Sequence, residues 1–263
     1  MHSLSSRLKV TTLLGMAALM MAACQSTSVT DSSSPAAAEV AAVTMDINDV
    51  ATWNSLIAVD TAGVIAGYSP TELASLPPVA QPDYQTGYER VAMRRDGIDG
   101  PFQRRTAQYL GPEGEGDRIR ILDANGVPDL EIVSRGDWWY YVDAWETEDG
   151  ASGGSRFRGD MDAIFPLQPG NVALVEYDGW QNDGSTFDGM RVCGVMRAES
   201  ISVPSGTYPA MRVECRSGAD TVEELMTSPY RVHVMWVSPD TGDIVAYVDQ
   251  EDGAFRRTWY VDA

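Results

Sequence analysis

From Gly87 onward the chain is written in short runs of alternating or continuous apolar residues, each ended by turn residues, and this restricts its fold more than any other feature. Arg118-Ile119-Arg120-Ile121-Leu122 alternates charge with hydrophobe, the period-two pattern of a half-buried strand. Asp123-Ala124-Asn125-Gly126 follows, and its Asn-Gly pair tolerates positive φ. Runs of the same kind cover Phe102 to Leu110, Glu131 to Val133, Asn171 to Tyr177, Met190 to Val203, Tyr208 to Cys215, Val232 to Val237, Ile244 to Val248 and Thr258 to Val261. Pro169-Gly170, Asp183-Gly184, Pro204-Ser205-Gly206 and Pro239-Asp240-Thr241-Gly242 punctuate them. Glu148 to Gly154 reads as a mobile loop by composition. Strand follows strand without the βα alternation of a parallel sheet. The expected fold class is mainly β, an antiparallel curved sheet or half-barrel with short N-terminal helices, over residues 87–263.

Residues 45–86 read as a helical lead-in. Val50, Trp53, Leu56 and Ile57 recur at spacings of three and four, as one helix face requires, and Asn48 is placed to cap it. Ser69-Pro70-Thr71-Glu72-Leu73 carries a second helix start: Ser at the cap, Pro at the first helical position, Glu three residues after the cap. Leu76-Pro77-Pro78 stops it.

The N-terminus carries an address. Arg7 and Lys9 precede an apolar run, Leu13 to Ala23, that ends in small residues before Cys24. A charged segment, an apolar segment and a small-residue cleavage site make a secretory signal peptide over 1–23. The run is too short to span a bilayer comfortably, which takes about 20 residues. The cysteine at the cleavage point resembles a bacterial lipoprotein signal, which implies acylation of Cys24 as the mature N-terminus. Gln25, where an inner-membrane retention signal would have Asp, implies sorting to the outer membrane, facing the periplasm. An ordinary signal peptide with Cys24 there by chance is the alternative. Residues 24–44, rich in Ser, Thr and Ala, form a flexible tether.

Beyond Lys9 every basic residue is arginine, which excludes lysine Schiff-base chemistry. The whole chain has 19 basic and 38 acidic residues, a net charge of −19. An acidic surface of this kind excludes nucleic acid as a partner and disfavours anionic lipid headgroups. With Cys24 acylated, Cys193 and Cys215 remain as a pair, most simply a disulfide in an oxidising periplasm. Pairing Ile201 with Thr207 across the Pro204-Ser205-Gly206 turn also sets Cys193 opposite Cys215, near disulfide reach.

Three segments carry a resemblance over roughly the last hundred residues: Phe165-Pro166-Leu167-Gln168-Pro169-Gly170-Asn171, Ile201-Ser202-Val203-Pro204-Ser205-Gly206-Thr207-Tyr208 and Trp236-Val237-Ser238-Pro239-Asp240-Thr241-Gly242. In this order they resemble the turn motifs of a group of uncharacterised proteobacterial periplasmic proteins. Those are similar to domains that form curved half-barrels, as in lipoprotein carriers. The resemblance implies a fold and assigns no chemistry.

Candidate sites are few. His233 is the only histidine after His2, so any Ser-His-Asp or Cys-His arrangement would have to use it; between Val232 and Val234 it reads as a strand residue on the polar face. One histidine and a cystine cannot supply a zinc site, and no metal is expected. Asp178 to Gly184 has carboxylates near a glycine but lacks the calcium-loop spacing. Glu113, Glu115 and Asp117 fit a solvated loop. In a strand, Trp138 and Tyr140 share one face, and Trp139 and Tyr141 the other. One set fills the core; the other either lies under the N-terminal helices or lines a cleft for an apolar ligand. No cofactor pattern is present, and no carboxylate spacing singles out a hydrolytic pair.

The expected function is therefore non-enzymatic: a lipid-anchored envelope protein binding an apolar ligand or an envelope partner through its curved sheet. The alternatives are a structural or assembly role without a ligand pocket, and a carboxylate-dependent hydrolase.

Overall fold

Antiparallel pairing runs unbroken around the molecule in a computed structural model that describes residues 46–53, 61, 65, 70–135 and 142–262. The strands are β1 (Thr71–Glu72), β2 (Glu89–Asp96), β3 (Gln103–Glu113), β4 (Gly116–Leu122), β5 (Pro128–Ser134), β6 (Val142–Thr147), β7 (Ser152–Arg158), β8 (Val172–Gln181), β9 (Thr186–Val203), β10 (Gly206–Ala219), β11 (Arg231–Val237), β12 (Ile244–Glu251) and β13 (Ala254–Val261). Each strand from β2 to β13 pairs with the next, and β13 pairs back to β2 through Trp259↔Arg94 and Tyr260↔Met93. The result is a closed twelve-stranded up-and-down barrel, with β1 added on β9 through Thr71↔Ser200. Closure corrects the half-barrel expectation. It follows from β13, whose N–H and C=O rows would otherwise form an open edge.

Helix is scarce among the described residues: 3₁₀ turns at Val50–Thr52 and Asp162–Ile164, and α1 (Val222–Thr227), capped by the Thr221 side chain. The expected first helix is a 3₁₀ turn at its start, with Val50 and Trp53 buried; Leu56 and Ile57 lie outside the described residues. Asn48 does not cap it. It donates to Asp46 instead. The Pro70–Leu73 helix start is overturned: Thr71–Glu72 is a strand, and Leu73 N–H donates to Ala198 C=O. Beyond its pairing with β8, β9 offers unpaired backbone groups, and satisfying them outweighs local helix signals.

The loop expected through Gly154 ends at Ala151, and Gly153 and Gly154 lie within β7. A Cβ on Gly153 would sit 2.9 Å from the Trp145 ring; one on Gly154 would sit 2.5 Å from the Trp180 ring. Glycine is there because two indoles lie across the backbone, one on each face.

The barrel has one packed end. The three turn segments that carry the family resemblance all gather at it: residues 165–171, the β9–β10 turn and the β11–β12 turn. Val79 and Leu167 exchange backbone hydrogen bonds of 3.0 and 2.7 Å, and with Met161 and Ile164 they pack against Val195, Met211, Val213, Val237 and Ile244. Each such aliphatic burial contributes about 1.5–3 kcal/mol. The outer face of β2–β8 is charged, with pairs such as Arg120–Glu131 at 2.7 Å and Arg158–Glu176 at 3.3 Å. An outward surface of this kind lacks the apolar band of a membrane-spanning barrel.

Candidate ligand-binding site

Alternation along a closed barrel sends every second side chain inward, so the lumen is read directly from the register. Cys215 pairs with His233, His233 with Asp249, and Asp249 with Arg257. These four therefore share the inner face. Toward the end opposite the packed one, the lumen holds a cavity of about 360 Å³, open to solvent. Leu130, Ile132, Val142, Trp145 and Phe157, with Ser155, line it from β5–β7; Arg231, His233, Tyr247 and Arg257 line it from β11–β13; Phe187 and Arg191 stand between on β9. Arg257 is shared with a neighbouring recess of about 20 Å³, room for a single water, lined also by Arg90, Arg94, Arg105 and Trp259. Six arginines thus line the opening and this recess; among the described residues no carboxylate lines them, but Asp96, Asp129, Asp243 and Asp249 each pair with one or more of five of these arginines.

The carboxylates that support these arginines stand behind them or at the rim. Arg231 donates from Nε to Asp249 Oδ1 at 2.8 Å, and its Nη2 donates to Oδ2. Asp249 is fully buried. Burial raises its pKa, but the Arg231 hydrogen bonds, His233 and the charge of Arg231 outweigh that and hold it below the usual carboxylate range. His233 Nδ1 shares a hydrogen bond with the Tyr247 hydroxyl and lies 3.6 Å from Asp249. Burial pushes His233 down to about 3 against the pull of Asp249, and the same burial raises Tyr247. The imidazole is thus neutral and buried rather than on a polar outer face. Asp96, at the rim, accepts from Arg94 at 2.9 Å and Arg257 at 3.2 Å. Arg191 lies 5.3 Å from the centroids of both Phe157 and Tyr177, a cation–π arrangement.

The sequence-predicted residues are distributed otherwise. Trp138, Trp139, Tyr140 and Tyr141, expected to line a cleft, lie outside the described residues, as does Cys24. Cys193 and Cys215 are bonded, S–S 2.11 Å, on the inner face beside the packed end. The register that joins them differs from the one expected. Ile201 pairs with Tyr208, not Thr207, and a bulge at Met196 then shifts the ladder by one, so Cys193 faces Cys215 all the same. Asp178 is paired with Arg158, and Asp183 accepts from Ser185 N–H at 2.8 Å in a hairpin turn. Glu113 and Glu115 pair with Arg118 and Arg135, and Asp117 accepts from the Tyr109 hydroxyl.

The luminal arginines were missed as site residues. Their signal was present: Arg90-Val91-Ala92-Met93-Arg94 and Arg105-Thr106-Ala107 place arginine and alanine on one face, and arginine on a strand's inner face is expensive unless something needs it.

No family model matches this sequence, and no curated protein matches it. Among solved structures it is similar to an exported protein with a YmcC-like fold from Bacteroides fragilis, at 13% identity and a TM-score of 0.38 over 70% of this chain and 98% of that one. It is also similar to a lipoprotein from Parabacteroides distasonis, at 12% identity and a TM-score of 0.35 over 70% of this chain and 96% of that one.

Proposed function

We propose that this chain is a lipid-anchored envelope protein that works by binding, not catalysis, and that its ligand enters the barrel lumen. The supporting observation is the luminal opening of about 360 Å³, which brings aliphatic and aromatic side chains together with arginine, tyrosine and histidine. Ligand pockets of about 300–1,000 Å³ combine apolar surface with placed polar groups. The Cys24 signal supports anchoring at the outer membrane on the periplasmic side, and the charged outer face of β2–β8 supports a barrel that stands in water.

Lumen binding replaces an open curved sheet as the binding surface in this reading. The assembly role has no comparable observation in its favour, and among the described residues no pair of carboxylates lines the opening to serve the carboxylate-dependent hydrolase alternative.

The test is native mass spectrometry of the full chain carrying Cys24→Ser, exported and purified from the periplasm without detergent. A bound small molecule released on unfolding is expected. An empty barrel in repeated preparations, with no binding of added amphiphiles, overturns the reading. Retention of the Cys24→Ser variant on membranes would overturn the anchor.

A further inference from the structure

We infer that the luminal ligand is a single-chain anionic amphiphile, an acyl chain ending in a carboxylate or phosphate; this rests on the binding function proposed above. The argument is from charge placement. Beyond residue 23 the chain has 17 basic and 38 acidic residues. Arg191, Arg231 and Arg257 line the luminal opening, and among the described residues no carboxylate does.

The two walls assign the two parts of the ligand. Leu130, Ile132, Val142, Trp145 and Phe157 offer contact to methylenes and no directional bond. Arg231 and Arg257 stand on β11 and β13, across the barrel from β5–β7, and Arg191 stands beside Phe157; the guanidinium fork matches carboxylate and phosphate oxygens. The support of this wall is already built. Asp249 fixes Arg231, Asp96 fixes Arg257, and the Phe157 and Tyr177 rings flank Arg191. Preorganised arginines spare an anion the cost of ordering them. A cationic amphiphile would meet the same wall with like charge, and a neutral one would offer its guanidinium forks no charge-assisted hydrogen bond.

The experiment uses the full chain with Cys24→Ser and measures calorimetric binding of four probes: dodecanoate, dodecyl phosphate, dodecyltrimethylammonium and inorganic phosphate. The two anionic amphiphiles are expected to bind at least tenfold more tightly than the cation, and inorganic phosphate far more weakly than dodecyl phosphate. Tighter binding of dodecanoate than of dodecyl phosphate identifies a fatty acid as the source, and the reverse identifies a phospholipid-derived head. Arg191→Gln and Arg257→Gln are each expected to lower anion affinity about tenfold, as loss of a charged hydrogen bond does. Arg231→Gln risks leaving Asp249 buried and unpaired, so Arg231→Gln with Asp249→Asn is the folded control, and its melting curve is recorded. Equal or tighter binding of the cation, or anion binding unchanged in both single variants, overturns the inference while leaving an apolar luminal site in place. Failure of all three amphiphiles to bind overturns the functional proposal itself.

Discussion

The same β-strands carry charge on both of their faces, and the two faces treat it in opposite ways. On the outside of β9–β11 runs a closed ladder. Glu214 accepts from Arg216 at 2.7 Å, Arg212 lies 3.7 Å from Glu214 and 3.9 Å from Glu199, and Glu199 accepts from Trp236 Nε1 at 2.7 Å. Arg216 also donates to the Met226 and Trp53 carbonyls and lies 5.2 Å from the Trp53 ring. Val50, Trp53, Leu225 and Met226 cover this part of the outer face, and Glu199, Glu214 and Arg216 have no exposure. On the inside, Arg231 and Asp249 are built as tightly, but their neighbours Arg191 and Arg257 open onto a cavity. Charges that are balanced and covered serve the fold. Charges that are oriented and left facing a space are available to a ligand.

The largest effect that would break this comparison is at Arg216. Arg216→Met removes the donor to Glu214 and to two carbonyls while leaving Glu214 buried. Breaking a buried pair by removing one partner costs about 3–5 kcal/mol. Urea unfolding is expected to show a loss of that size, whereas Arg191→Gln in the lumen is expected to change stability by less than about 1 kcal/mol. Similar losses for the two variants would mean that the lumen is as closed as the outer ladder.

Smaller is the contribution of Cys193–Cys215, which ties β9 to β10 on the inner face. Both cysteines are buried, with no exposure. Neither is expected to be alkylated before reduction and unfolding. Their sequence separation is 22 residues, and a cross-link over such a span stabilises by roughly 3 kcal/mol in the chain-entropy model. Cys193→Ser with Cys215→Ser is expected to lower unfolding stability by that amount and to leave amphiphile binding intact. Loss of binding as well would mean that the lumen depends on the β9–β10 register.

That register shows what was legible in the sequence and what was not. Strand content and most turns were readable, because period-two patterns and Gly, Pro and Asp punctuation are local properties. The cystine was readable from the cysteine count but its register was not: the bulge at Met196, which the pattern does not reveal, offsets the one-residue difference at the turn and brings Cys193 opposite Cys215. Closure was not readable: nothing in Thr258-Trp259-Tyr260-Val261 names Arg94 and Met93 as partners, since pairing between distant strands is decided by the whole barrel. The strand at Thr71–Glu72 was hidden behind a good helix-start pattern. The luminal site was missed for a related reason. Arginine alternating with alanine says that a face exists, but only closure makes it an interior. The aromatic stretch from Trp138 to Tyr141 drew attention by composition and lies outside the described residues; Trp145 and Phe157, which line the lumen, stood in less conspicuous runs.

The smallest expected effect separates the two faces by pH. The outer ladder contains only arginine, glutamate and tryptophan, whereas the lumen holds His233, the only histidine after His2. In the folded chain burial lowers His233 to about 3, against about 6.5 when unfolded. Between these values the unfolded state binds the extra proton. Stability is therefore full above about pH 6.5 and falls as the pH drops through that window, by at most about 1.4 kcal/mol per unit for one proton. Asp249, with its depressed pKa, adds a further loss only at lower pH, below the ordinary carboxylate range. From pH 6.5 to 5.5 the unmodified chain is expected to lose about 1 kcal/mol, measured by urea unfolding at each pH. His233→Gln, which keeps an acceptor for the Tyr247 hydroxyl, is expected to flatten that slope. A slope equal to that of the unmodified chain would mean that His233 gains its proton without unfolding, and that the lumen admits water and charge where the outer ladder does not.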